Sequence, residues 1–223
     1  MGEPVSAGRA LQERLGTRAR AQRFEDEQVL DHLNPRMRSF IARREMMFVA
    51  TSDARGACDN TLRAGPPGFV VTLDARRLAW PEYRGNGVLA SRGNIAANPH
   101  VGLLFVDLVD DLIGLHVNGR AALVGDDELR AAHPGLPADP APGRRAEQWV
   151  LAEVTEAYVH CSKHIPRLYR AAGEGRPGGS DYFGVAADRA APTAAPAAPP
   201  WRSRLRRIVR WRDGARSGGR PAS

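Results

Sequence analysis

Arg63 is followed by Ala64-Gly65-Pro66-Pro67-Gly68, a run of small and turn-forming residues. A guanidinium grips a phosphate or carboxylate through two parallel hydrogen bonds, and a Gly/Pro bend behind it lets a ligand come close to the backbone. Tyr83, Arg84, Asn86 and Ser91 form a second polar group, spread over Tyr83-Arg84-Gly85-Asn86-Gly87 and the helix-compatible residues after it. Donors at the end of a strand and the start of a helix, where backbone N–H groups are free, suit an anion. The plainer account of each residue alone is a solvated loop, or a surface Arg beside a proline turn. Taken together they point to a phosphate-bearing ligand.

Other reactive groups are sparser. His160-Cys161-Ser162-Lys163-His164 brings metal-capable side chains together, but the sequence has no second Cys/His cluster. A structural zinc needs about four ligands in paired spacing. No metal is therefore expected, and Cys161 is expected to pack inward at a strand end. His116 lies in an alternating segment, where the plain reading is a satisfied histidine in a core or at a barrel mouth. Asp110-Asp111 reads as a turn rather than an acid/base pair. Neither a G-x-S-x-G elbow, a P-loop nor a dinucleotide fingerprint is present, and Arg84-Gly85-Asn86-Gly87 is too short to be one.

These residues need elements to hold them. Residues 7–24 are charged and helix-prone with a thin apolar stripe, which fits a peripheral helix or an arm on another subunit. Val29, Leu30 and Leu33 predict a short helical face over residues 27–33. Asn34-Pro35 then predicts a helix start, with Asn34 as cap, Pro35 in the first position, and Met37, Phe40 and Ile41 on the buried face. From Met46 the period becomes extended. Strands are predicted over residues 47–51, 58–62, 69–73 and 78–81, and a helix over 86–97. Residues 101–108 are almost continuously apolar, predicting a strand buried on both faces. A long strand over 113–124, a short helix over 126–133, a Pro/Ala/Gly loop and a last strand over 149–160 follow. Antiparallel strands joined by short turns, with helices at the ends and one inserted, suggest a small barrel or half-barrel.

A chain of 223 residues suits one domain of about 150 residues plus extensions. The division expected is a helical segment over 1–45, a barrel over 46–184, and a linker with a basic tail over 185–223. A hydrophobic fraction of 43% suffices for a core, and a formal charge of +7 makes the protein basic. Arg-rich ends bring polyanions into consideration, although gene base composition is the plainer source, and no specific nucleic-acid partner is expected. The tail segment WRSRLRRIVRWR sets Trp201, Leu205 and Ile208 on one side if helical. A membrane-surface contact is one reading of it, and a solvated, unstructured tail is the preferred one. Two cysteines make no disulfide framework, residues 1–20 lack an apolar signal core, and no apolar run reaches the roughly 18 residues of a membrane span. A cytoplasmic location is the expectation.

The strings LDHLNPRMRSFIARREMMFVATSDARGACD, LRAGPPGFV, PEYRGNGVLAS, NPHVGLLFVD, IGLHVNGRA, AYVHCSKHIPRL and DYFG carry a resemblance over about residues 8–184. Together they resemble the pyridoxamine 5'-phosphate oxidase-like FMN-binding split-barrel proteins, in particular short actinobacterial members. The resemblance implies a mainly β fold with flanking helices, a six-stranded antiparallel split β-barrel. It also implies a homodimer with FMN in the groove between subunits. By position, Arg63 would hold the FMN phosphate with Thr61 beside it. Glu82, Tyr83 and Arg84 would line the ribityl and phosphate path, and Asn86 and Ser91 would add phosphate donors. His116 would reach the flavin ring from across the dimer.

Two departures qualify what is implied. Gly87-Val88 follow Asn86 where many members carry Arg or Lys, and the chain ends in an Ala/Pro linker and Arg/Trp tail instead of an Arg/His-bearing substrate segment. Vitamin B6 oxidation is therefore not expected. The implied function is an FMN-dependent oxidoreductase with an unidentified small-molecule substrate and electron donor. The alternatives are a non-catalytic flavin-binding or redox-sensing protein, and a reductase that uses the deazaflavin F420. No side chain is singled out as catalytic.

Overall fold

The computed structural model describes residues 7–137, 145–169, 183 and 185. The linker and basic tail expected at the C-terminus lie outside the described residues, apart from Val185. Two helices open the chain, α1 (Ala7–Arg14) and α2 (Arg18–Gln28), rather than one. Gly16, with φ of +65°, turns the chain between them in a backbone conformation that costs glycine little. Neither helix buries a residue. Residues 29–33 are not helical as expected. Leu30 instead exchanges backbone hydrogen bonds of 2.9 and 2.7 Å with Ala157, so this segment is drawn out along the sheet. α3 (Pro35–Ala42) starts as its sequence demands: the Asn34 side chain accepts from Met37 N–H at 2.9 Å, and Phe40 and Ile41 are buried.

The strands are β1 (Met46–Ser52), β2 (Cys58–Ala64), β3 (Val71–Thr72), β4 (Arg77–Glu82), β5 (His100–Val106), β6 (Gly114–Gly125) and β7 (Gln148–His160). α4 (Ala90–Ala97) lies between β4 and β5, and α5 (Asp126–Ala132) between β6 and β7. All pairings are antiparallel, in the order β2-β1-β5-β6-β7-β4-β3. Seven strands stand where six were expected, and β3 is only two residues long. β5 is not buried on both faces: Val101, Leu103 and Phe105 are buried and the residues between them are half-buried.

The sheet rolls up. Arg63 on β2 reaches Glu82 on β4 although β1, β5, β6 and β7 lie between those two strands in the sheet order. The result is an antiparallel barrel, split between β2 and β4. Its interior holds Trp80, Phe105, Leu33, Ile41, Met47 and Leu78, all fully buried. Each such side chain contributes about 1.5–3 kcal/mol by leaving water. A smaller cluster of Ala79, Leu129, Leu136, Ala146 and Trp149 packs α5 onto the outside of β4 and β7. β6 and β7 shift register between Asn118 and Gly119, a bulge that a Cβ at Gly119 would block by overlapping the carbonyl of Glu153.

Beside the barrel, Arg44 and Asp107 form an ion pair in which both side chains are nearly excluded from solvent. Burial raises the Asp107 pKa, but N–H donors from Asp110 and Val109 and the Arg44 guanidinium outweigh it and hold the carboxyl at about 2.

Candidate functional site

β2 is built the reverse of an ordinary half-buried strand. Asp59, Thr61 and Arg63 are half-buried and register against Thr51, Val49 and Met47, which are buried in β1, while Leu62 faces solvent. A polar inner row cannot join an apolar core without partners. It instead walls a cleft of about 480 Å3 beside the barrel split. The opposite wall is Glu82 and Tyr83 from the end of β4, then the loop Gly85–Leu89 and the first turn of α4.

Arg63 is the most heavily bonded group there. Its Nε donates to Glu82 Oε1 at 2.8 Å and its Nη2 to Glu82 Oε2 at 2.9 Å, a forked pair. Nη1 donates to Thr61 Oγ1 at 2.8 Å and to the Leu62 carbonyl at 3.4 Å. Glu82 is buried and also accepts from Trp80 Nε1 at 3.1 Å. Of five guanidinium N–H groups, one on Nη2 has no recorded partner among the described residues.

The loop into α4 is shaped for close approach. Gly87 has φ of +83°, and Leu89, the residue capping α4, takes φ of +54°. A leucine in the left-handed region is uncommon, and such conformations concentrate at ligand sites. No side chain caps α4, so its leading N–H groups have no intrahelical acceptor, and Ala90, Ser91 and Arg92 line the cleft. Asn86 Oδ1 accepts from Val88 N–H at 3.0 Å, which leaves its amide N–H2 available. Ser91 Oγ donates to Asp59 at 3.1 Å, and Arg92 bonds Glu147 and Gln148 at 3.2–3.3 Å.

Of the residues singled out in the sequence, the cleft brings together Thr61, Arg63, Glu82, Tyr83, Asn86 and Ser91. Arg84 is exposed next to it, with no ion pair recorded among the described residues. His116 stands apart, on the outer face of β6 in register with Leu104 and Tyr158. Its Nε2 lies 2.9 Å from His160 Nδ1, and its ring stacks on Tyr158 at 4.8 Å. Burial and the neighbouring His160 lower its pKa, against an opposing pull from Glu156. Cys161, expected to point inward, is exposed, because the strand ends at His160. Among the described residues no group of three or more His, Cys, Asp or Glu could hold a metal.

Sequence reasoning missed Asp59, Arg92 and the Val88-Leu89 edge. Asp59 was findable: it stands two and four residues before Thr61 and Arg63, and so on the same strand face. Arg92 was not, because its partner Glu147 is 55 residues away. The donor set suits an anionic group at the α4 end of the cleft. The lining charges, however, balance: Asp59 and Glu82 against Arg63 and Arg92.

The likeness to other proteins runs along this same stretch. The family model described as pyridoxamine 5'-phosphate oxidase matches residues 33–161, more than half of the chain. No curated protein matches the sequence. Among solved structures, HupZ of Group A Streptococcus is 19% identical, covering 57% of this chain and 93% of its own, with a TM-score of 0.41. An FMN-binding protein of Syntrophomonas wolfei subsp. wolfei is 9% identical, covering 67% and 93%, with a TM-score of 0.40. An F420 reductase is 20% identical, covering 55% and 94%, with a TM-score of 0.35. Likeness at this level assigns no ligand. The match over β1 to β7 does assign the lineage: the chain belongs to the pyridoxamine 5'-phosphate oxidase family.

Proposed function

We propose that this protein is an FMN-binding oxidoreductase whose flavin lies in the cleft between β2, the end of β4 and α4, completed by a second copy of the chain. The observation that carries the reading is the inverted strand β2, which turns Asp59, Thr61 and Arg63 inward to face an uncapped helix start. The phosphate would be held by the leading N–H groups of α4, the Asn86 amide and the spare N–H of Arg63, and by the Ser91 hydroxyl once it turns away from Asp59. Arg84 adds a cation nearby. Family membership supports a flavin over other phosphates.

A second copy is favoured by the outer face of the sheet. Leu62, Phe48, Leu104, His116 and Tyr158 form one cross-strand row through β2, β1, β5, β6 and β7. Phe48 and Leu62 in this row, and Met46 on the same face of β1, are exposed apolar side chains next to the cleft. In a homodimer His116 of one copy would come to the flavin edge of the other, the role that the family resemblance gives it. Bound flavin supplies the hydride chemistry, and the chain supplies orientation, hydrogen-bond donors and exclusion of water.

Purified protein should be yellow and release FMN, identified by mass, on denaturation. Reduced NAD or NADP should bleach the bound flavin, with steady turnover once an acceptor is added. Bleaching without turnover would mark a redox-sensing or storage protein, and release of F420 would move the same cleft to deazaflavin chemistry. A colourless protein that takes up neither cofactor ends the proposal.

A further inference from the structure

Arg63 lines the cleft, yet it does not stand there as a free charge. Both arms of its fork are taken by Glu82, a buried carboxylate from the far side of the barrel split that also accepts from Trp80 Nε1. The pair closes the barrel where, among the described residues, no backbone hydrogen bonds do, because β2 is one end of the sheet. A ligand phosphate cannot take the fork from Glu82 without leaving that carboxylate buried and unpaired, which costs more than the phosphate bond returns. It must also accept a negative charge directly behind the guanidinium it faces.

We infer that Glu82 weakens the grip of the cleft on phosphate dianions, holding Arg63 by its fork so that only one N–H and little net charge face the ligand. This rests on the reading of the cleft as a phosphate-bearing flavin site, and gives Glu82 a role separate from lining it. The cleft then binds the phosphate end mainly through α4 and the Asn86 loop. Glu82 is a device against tight binding of compact dianions, since an unshared Arg63 would grip inorganic phosphate as readily as the end of a flavin.

The test compares the parent with Glu82→Gln, which keeps the shape and one acceptor but removes the charge. Dissociation constants are measured for FMN, for riboflavin, which lacks the phosphate, and for inorganic phosphate. The expected result is FMN and phosphate bound at least about tenfold more tightly by the variant, with riboflavin unchanged and a steeper salt dependence. A role confined to holding the barrel closed would move FMN and riboflavin together. An unchanged or reduced preference for FMN over riboflavin, or unchanged phosphate affinity, overturns the inference. Should the parent bind neither flavin, the flavin reading falls and the phosphate comparison alone decides the role of Glu82. Should Glu82→Gln fail to fold, Glu82→Asp, one methylene too short to engage both arms, is read the same way. Its expected gain is about threefold, between none and the full tenfold, and no gain overturns the inference.

Discussion

Arg63 and Glu82 are 19 residues apart in sequence and at opposite sides of the barrel split, yet their side chains meet in a forked pair of 2.8 and 2.9 Å. Their burial is unequal, with 23% of the Arg63 side chain exposed against 8% of the Glu82 side chain. The two ends of the pair are therefore not equivalent on mutation. Arg63→Ala strands a carboxylate that, among the described residues, keeps only the Trp80 hydrogen bond, and should cost about 3–5 kcal/mol. Arg63→Met with Glu82→Gln removes both charges while keeping an acceptor for Trp80 Nε1, and should restore most of that loss. Urea unfolding of the two variants checks this, and equal destabilisation by both would rule out an uncompensated charge as the cause.

The outward row Leu62, Phe48 and Leu104 predicts a change in assembly rather than in stability. Leu62 is 51% exposed, so Leu62→Glu buries no new charge within one chain and should shift unfolding by no more than about 0.5 kcal/mol. In a self-complementary interface each substitution is met twice, once from each copy. Sedimentation should show a dimer for the parent and a monomer for Leu62→Glu. A variant that sediments as the parent does would remove β2 from the interface.

How far the chain could be read without coordinates is seen in β2 itself. The string CDNTLRA alternates, and alternation predicts a strand. The usual assumption that apolar residues face inward would point Leu62 to the core and Arg63 to water. The structure does the opposite, because the fold supplies a polar cleft and Glu82 from elsewhere in the chain. Helix α3 was fully legible, since Asn34 and Pro35 act on their own neighbours. The segment around Leu30 was not: its apolar spacing suits a helix, but pairing with Ala157, 127 residues further on, draws it into an extended bridge. Local chemistry was readable, and partners supplied from a distance were not.

Gly119 offers a prediction that depends on backbone alone. The register shift between β6 and β7 brings the Glu153 carbonyl over the position where a Cβ would project. Carbonyl and strand are held by the ladder on both sides, so neither can yield cheaply. Gly119→Ala should cost about 3 kcal/mol or more. Gly135→Ala, where a Cβ meets nothing within 4 Å, is the control and should be nearly neutral. Thermal unfolding of the two distinguishes the close approach from the general effect of losing a glycine.

The last prediction concerns pH and follows from His116. Its folded-state pKa is lowered from 6.5, chiefly by burial and then by His160, with Glu156 opposing. Above 6.5 the group is neutral in both folded and unfolded chains and contributes no pH dependence. As the pH falls through that value, the unfolded chain takes up a proton that the folded one resists, so stability is lost until the lower folded value is reached. Between about pH 6.5 and that lower folded value the parent should therefore lose thermal stability, while His116→Gln, which cannot titrate, should lose less. The buried carboxylate Asp107, held at about 2, titrates well below this range and does not obscure it. If the outer row is also the contact between copies, charging His116 beside Leu104 weakens the dimer over the same interval. Sedimentation across that range should then show dissociation in the parent and not in His116→Gln. A dimer that persists unchanged to the acid end would separate the histidine pair from the interface while leaving its effect on folding intact.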